Sequence, residues 1–413
     1  MAYFTHLQCR ECGHQTTTRA VSACEYCFGP LEVFYDYDKI AHDLPRAAFS
    51  TRPFTMWRYK EFLPVNGKAR VGHETGGTPL IRAEKLGHYW GLKNLYLKND
   101  AVNFPTLSFK DRVVSVAISA ALELGFDTIG CASTGNLANS VAAQAAAAGL
   151  PSFIFVPDDL EEAKIAATRC YNPTLVRLHG TYDEVNRLCS EIAFEHEWGF
   201  VNINLRAFYA EGSKTMGFEI IEQLGWQIPE AVVVPMAGGA LINKIHKAFK
   251  EFSNVGYCSP HTCKIFGAQA SGCNPITHAV KSGAGEISPL RPNTIAKSLA
   301  IGNPADGYYA AKIIRETGGW GEDVSDEEIL RGIELLARTQ GIFTETAGGV
   351  TVAVTEKLVS QGRIRPDEVT VLCITGNGLK TSEVLNNRQA DLPVIAPRLG
   401  DFRSLLEQHR LLN

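Results

Sequence analysis

Three times along this chain a short apolar run ends in a small polar turn and continues as a helix. The first unit is Thr128-Ile129-Gly130-Cys131-Ala132, then Ser133-Thr134-Gly135-Asn136, then an alanine-rich helix over 137–148. Gly149 supplies its stop and Pro151 precedes a further strand over 153–156. The second is Ala231-Val232-Val233-Val234, then Pro235-Met236-Ala237-Gly238-Gly239-Ala240, then a helix over 241–252. The third is Val369 to Ile374, then Thr375-Gly376-Asn377-Gly378, then a short helix from Leu379. Continuously apolar strands alternating with helices predict an α/β protein whose open parallel sheets are covered on both faces. In such sheets ligands collect at the carboxyl ends of the strands, where all three turns would lie. Any one turn alone could be an ordinary strand-to-helix connection that needs glycine for geometry. Three turns rich in hydroxyls, amides and glycine point to one shared site.

A fourth segment supplies reactive chemistry. Asn103-Phe104-Pro105-Thr106-Leu107-Ser108-Phe109-Lys110-Asp111-Arg112 leads into a helix apolar around most of its circumference, from Val113 to Leu124. That pattern predicts burial. A lysine in the first turn faces the positive end of the helix macrodipole, an awkward place for a cation but a suitable one for a nucleophilic amine. Such an amine can form a Schiff base and carry protons. The plainer alternative is a lysine paired with Asp111.

The eleven cysteines divide unevenly. Cys9, Cys12, Cys24 and Cys27 form two Cys-x-x-Cys pairs, each followed closely by glycine (Gly13, Gly29), and the other seven are scattered singly. An odd total with this scatter is no disulfide framework. The paired set reads as a zinc-ribbon-like segment over 1–38, with four thiolates closing a structural Zn²⁺ site; a ribbon without metal and a redox dithiol are the alternatives.

The charge balance, 40 basic against 44 acidic residues, offers no basic face for nucleic acid. The most apolar stretch, 137–157, is broken by Asn139, Ser140, Gln144, Gly149 and Pro151, so no membrane span is expected. Residues 1–10 lack a continuous apolar signal core, and a cytoplasmic location is the expectation.

Five segments together resemble the threonine synthase family: Ser108-Phe109-Lys110-Asp111-Arg112, Ala132 to Asn136, Asn303-Pro304-Ala305-Asp306-Gly307, Glu345-Thr346-Ala347-Gly348-Gly349-Val350, and Thr375 to Lys380. The family depends on pyridoxal 5′-phosphate and has the tryptophan-synthase-β-like architecture, fold type II. The resemblance implies that Lys110 carries the cofactor as a Schiff base and is the catalytic base. Asn136 would meet the pyridoxal 3′-oxygen, Thr375 the pyridine nitrogen, and Ala237, Gly238, Gly239, Ala240 and Leu241 the cofactor phosphate. Ser133 and Thr134 match positions that hold the substrate phosphate. The implied reaction is O-phospho-L-homoserine plus water giving L-threonine and phosphate. A large domain from 39–100 and 216–413, a small mobile domain over 101–215 and a homodimer are expected with it.

Two departures bear on the substrate. The cofactor-phosphate loop lacks the asparagines common in the family, which leaves backbone donors. Shorter members carry an arginine for the substrate phosphate two residues before Glu211; here Tyr209 stands there, and Arg206, three residues upstream, is the substitute candidate. If Arg206 is only a salt-bridge partner, a related β- or γ-replacement enzyme or dehydratase, of the cysteate-synthase kind, is the alternative reading.

Overall fold

A computed structural model describes residues 3–66, 69–133, 135–180, 182–388 and 393–412. Residues 1–381 form one compact unit and 382–413 a second, whereas the expected large domain ran through to 413. The second unit holds a 3-10 stretch over Ser382–Arg388 and a helix over Leu399–Leu412.

The described residues of the first unit form three sheets. At the N-terminus, β1 (Phe4–Cys9), β2 (Gln15–Thr16) and β3 (Leu31–Tyr35) pair antiparallel in the order β2-β1-β3. The largest sheet uses β4 (Leu80–Arg82), β5 (Asn94–Asn99), β10 (Ala231–Pro235), β11 (Lys264–Ala270), β12 (Gly321–Val324) and β13 (Val369–Ile374). Its order is β12-β11-β10-β13-β5-β4, parallel except at β4. The third sheet, fully parallel, is β8-β7-β6-β9, from β6 (Ile129–Ala132), β7 (Ser152–Pro157), β8 (Thr174–Leu178) and β9 (Gly199–Phe200). Two open, essentially parallel sheets with helical crossovers are what the sequence pattern predicts.

Registers bring the turns together. Val233 of β10 lies opposite Leu372 of β13, and Ile374 of β13 opposite Asn99 of β5. The three strands run the same way, so the loops after β5, β10 and β13 emerge at one end of the sheet. The helices that matter for the site are α1 (Lys110–Glu123), α2 (Asn136–Ala147), α3 (Tyr182–His196), α4 (Arg206–Glu211), α5 (Lys214–Gln223), α6 (Ala240–Asn254) and α7 (Thr346–Ser360). As its apolar pattern predicts, α1 is buried from Asp111 to Ala121.

Two buried ionic clusters lock these helices in place. In the first, Arg112 on α1 holds Asp100 at 2.7 Å and Glu219 of α5 at 2.6 Å, and Lys98 of β5 holds Glu219 at 2.6 Å. All four side chains are excluded from solvent. Burial raises the Glu219 carboxyl, but Arg112 and Lys98 outweigh it and hold the group at about 2. In the second, Glu211 of α4 meets Lys214 at 2.7 Å, Lys244 of α6 at 2.5 Å and the Tyr35 hydroxyl of β3 at 2.8 Å. Lys244 also takes Glu32 of β3 at 2.7 Å, tying the N-terminal sheet to α4 and α6.

Candidate active site

The three residues Lys110-Asp111-Arg112 separate into different tasks. Asp111 turns back to its own loop, accepting the Thr106 backbone N–H at 3.0 Å and the Thr106 hydroxyl at 2.7 Å. Its burial pushes the carboxyl up to about 6. Arg112 serves the first ionic cluster. Lys110 is therefore not Asp111's partner, and its amine enters a cavity of about 220 Å³. The Phe109 N–H donates to the Thr375 carbonyl at 2.8 Å, and the Asn377 N–H to the Leu107 carbonyl at 3.1 Å. These two bonds tie the lysine loop to the turn after β13.

The same cavity is lined by Ser133, Asn136, Arg206, Ala237, Gly238, Gly239, Ala240, Leu241 and Thr375. Every proposed cofactor or substrate residue thus lies on one cavity, except Thr134, which falls outside the described residues. Gly239 ends its loop at φ +93, and an added Cβ would stand 2.9 Å from the Asp306 carbonyl oxygen, so only glycine fits. At Gly238 an added Cβ would meet only Ile301 Cδ1, at 3.9 Å, an ordinary contact. Helix α6 starts immediately afterwards with no side-chain cap, so the N–H groups of its first turn remain available to an anion.

Polar side chains reach in from other elements. The Asn136 amide donates to Glu345 Oε1 at 2.7 Å, while Asn136 Oδ1 and Glu345 Oε2 are buried without a partner in the structure. Burial raises the Glu345 carboxyl above its ordinary range. Arg206 Nη2 meets Asp306 Oδ2 at 2.5 Å, in the Asn303–Gly307 segment. One helical turn further along α4, the Tyr209 hydroxyl accepts a hydrogen bond from Lys110 Nζ at 2.9 Å. Tyr182 and Asn202 complete this side, the Asn202 amide donating to the Tyr182 hydroxyl at 3.2 Å. Burial pushes the Tyr182 phenol up to about 12.

Four of these roles were not assigned from sequence: Glu345 as partner of Asn136, Asp306 as partner of Arg206, Tyr209 as partner of Lys110, and Tyr182. Glu345 and Asp306 sit inside segments that carry the resemblance, and Tyr209 was marked as a departure. Tyr182 carried no local signal.

The cavity fits a phosphorylated aromatic aldehyde. An uncapped helix start beside a glycine loop suits its phosphate, the unpartnered Asn136 oxygen and Glu345 oxygen await polar contacts, and an amine stands ready for the carbonyl.

At the N-terminus, the sulfurs of Cys9, Cys12, Cys24 and Cys27 lie within 4.8 Å of one another. Cys9 and Cys27 approach to 3.4 Å, Cys12 and Cys24 to 3.7 Å, spacings that suit four thiolates around one ion.

The model of a family described as pyridoxal-phosphate dependent enzymes matches residues 71–376. Solved structures share the fold: diaminopropionate ammonia lyase from Escherichia coli superposes with a TM-score of 0.66 at 18% identity, covering 79% of this chain and 94% of its own. Maize serine racemase does so with 0.62 at 19%, covering 80% and 93%. Among individual relatives, the threonine synthase of Methanocaldococcus jannaschii is 38% identical over 377 residues, 90% of this chain and 92% of its own. That of Methanosarcina acetivorans is 37% identical over 383 residues, 92% and 93%. The chain belongs to the pyridoxal-phosphate-dependent enzymes and, within them, to the threonine synthase family.

Proposed function

We propose that this enzyme converts O-phospho-L-homoserine and water to L-threonine and phosphate. The observation that supports the reading best is the meeting of Lys110 Nζ, the uncapped start of α6 and the Arg206 guanidinium on one cavity, in a chain similar to threonine synthases over nine-tenths of its length.

In this reading Lys110 carries the cofactor; the backbone from Ala237 to Leu241 holds its phosphate; Asn136 meets its 3′-oxygen and Thr375 its ring nitrogen. When bound, pyridoxal phosphate supplies a sink for the electron pair left at the amino acid's α carbon. The chain's own residues do the rest. Lys110 Nζ removes the α proton and is a free amine again once that proton has been passed on, so it can then take a β proton. Later it delivers one proton to the γ carbon, which becomes the methyl group, and one to the α carbon after water has added at the β carbon. Ser133, Thr134 and Arg206 hold the substrate phosphate. Asp306 fixes the guanidinium through one nitrogen, which leaves the rest of its fork for a phosphate oxygen. A hydroxyl such as Thr375, unlike a carboxylate, leaves the ring nitrogen largely unprotonated and favours elimination and replacement over transamination.

Further parts of the reading are a structural Zn²⁺ on Cys9, Cys12, Cys24 and Cys27, a homodimer, a cytoplasmic location and a small domain over 101–215 that closes on substrate. No helix among the described residues is long and apolar enough to cross a membrane.

The test compares phosphate release from O-phosphohomoserine with turnover of phosphoserine plus sulfite. Threonine forming in step with phosphate is the expected result. Preference for phosphoserine and sulfite would move the chain to the cysteate-synthase kind of chemistry.

A further inference from the structure

The Tyr209 hydroxyl has capacity to spare. A phenol oxygen accepts hydrogen bonds and has one proton to give. Tyr209 accepts from Lys110 Nζ at 2.9 Å, and among the described residues no protein group takes its own proton. The side chain is 8% exposed, yet it lines the cavity. It is held firmly, because Glu211, two residues on, is locked to Lys214, Lys244 and Tyr35. Tyr209 also follows Arg206 by three residues on α4, so phenol and guanidinium share one helix face and both reach the cavity.

The chemistry of the proposed substrate, on whose identity this inference rests, asks for an acid at that place. A phosphate monoester is largely dianionic near neutral pH. Breaking its Cγ–O bond with no proton supplied would release a trianion, a poor leaving group. Arg206 can balance charge there, but a guanidinium does not give up its proton. Lys110 is engaged at the substrate's carbons.

We propose that Tyr209 is a catalytic residue, the acid that protonates the departing phosphate and is recharged by Lys110. Lys110 Nζ, as the free amine, takes the Cβ proton. The Cβ–H electron pair becomes the second bond between Cβ and Cγ, and the Cγ–O pair leaves on the bridging oxygen. That oxygen receives the Tyr209 hydroxyl proton, and the phenolate takes a proton from the Lys110 ammonium along the existing hydrogen bond. One proton has moved from Cβ to phosphate, and Lys110 and Tyr209 have returned to their starting states without an outside acid.

The experiment uses the holoenzyme and its Tyr209→Phe variant on O-phosphohomoserine. It reads phosphate release and, separately, exchange of the substrate's α hydrogen with deuterated water. Loss of a general acid costs about 10²–10⁴-fold. Phosphate release by the variant is expected to fall by that factor, with KM, α-hydrogen exchange and the cofactor's absorption band near their wild-type values. A variant that releases phosphate at the wild-type kcat overturns the proposal. So does an equal loss of exchange and release, which would make Tyr209 a mere prop for Lys110. Wild-type enzyme that releases no phosphate would remove the substrate reading and the proposal together, a result visible without the variant.

Discussion

The cavity has two unlike walls. The wall from the six-stranded sheet, the turn after β10, offers almost no side-chain chemistry: Gly238 and Gly239 clear space, and the uncapped start of α6 presents backbone N–H groups. The wall from α4 and the four-stranded sheet offers little else but side chains: Ser133, Asn136, Arg206 and Tyr209. The division fits the tasks. A group that stays in place is well held by backbone geometry, which tolerates change in neighbouring side chains. A substrate that must be chosen, broken and released needs charges and protons at particular atoms. Lys110 stands between the two, at the head of α1.

Changes on the two walls should therefore fail differently. Lys110→Ala removes the group both walls serve; activity should fall by more than about 10³-fold, and the cofactor's absorption band in purified protein should vanish. Retention of that band would place the covalent link elsewhere. On the side-chain wall, Arg206→Ala deletes a charge-assisted contact of about 1.5–3 kcal/mol. The substrate KM should rise roughly 10–100-fold while cofactor titration is unchanged; an unaltered KM would remove Arg206 from the clamp. On the backbone wall the opposite split is expected. Gly239→Val forces a branched side chain to φ +93 and onto the Asp306 carbonyl, a strain of about 1–3 kcal/mol. Cofactor affinity should drop by about tenfold or more, with the KM of the remaining holoenzyme little altered. Equal effects on both quantities from either substitution would erase the distinction between the walls.

The smallest effect at neutral pH concerns the frame behind both walls. Glu219 is held at about 2 by Arg112 and Lys98 against the cost of burial. A carboxyl depressed in the folded state contributes stability that is present above its ordinary pKa and lost as pH falls through the folded value. Thermal unfolding followed downward from pH 5 should show the midpoint falling toward pH 2, and Glu219→Gln should flatten that fall. An unchanged slope in the variant would assign the acid sensitivity to other carboxylates.

The strand–turn–helix units, and with them the sheets and the cofactor wall, were legible in the sequence. Continuous apolar runs and positioned glycines are local signals, and the four ribbon cysteines announce themselves by spacing. On the side-chain wall, Ser133 and Asn136 were legible from the glycine-bearing segment that ends β6, and Arg206 only through its offset from Glu211. Tyr209 lies 99 positions from Lys110, and Glu345 lies 209 from Asn136; such pairings depend on tertiary packing and leave no mark in local pattern. The buried charges of α1 were hidden for a related reason. Periodicity shows which apolar residues face inward, but it cannot show that Asp111 and Arg112 go in with them because Thr106, Asp100 and Glu219 are waiting.

Covalent attachment at one lysine decides the rest. Borohydride reduction of the holoenzyme, followed by proteolysis and mass spectrometry, should find the pyridoxyl adduct on the peptide containing Lys110 and nowhere else. An adduct on Lys98, Lys164, Lys214 or Lys380, or none at all in a coloured preparation, would contradict it.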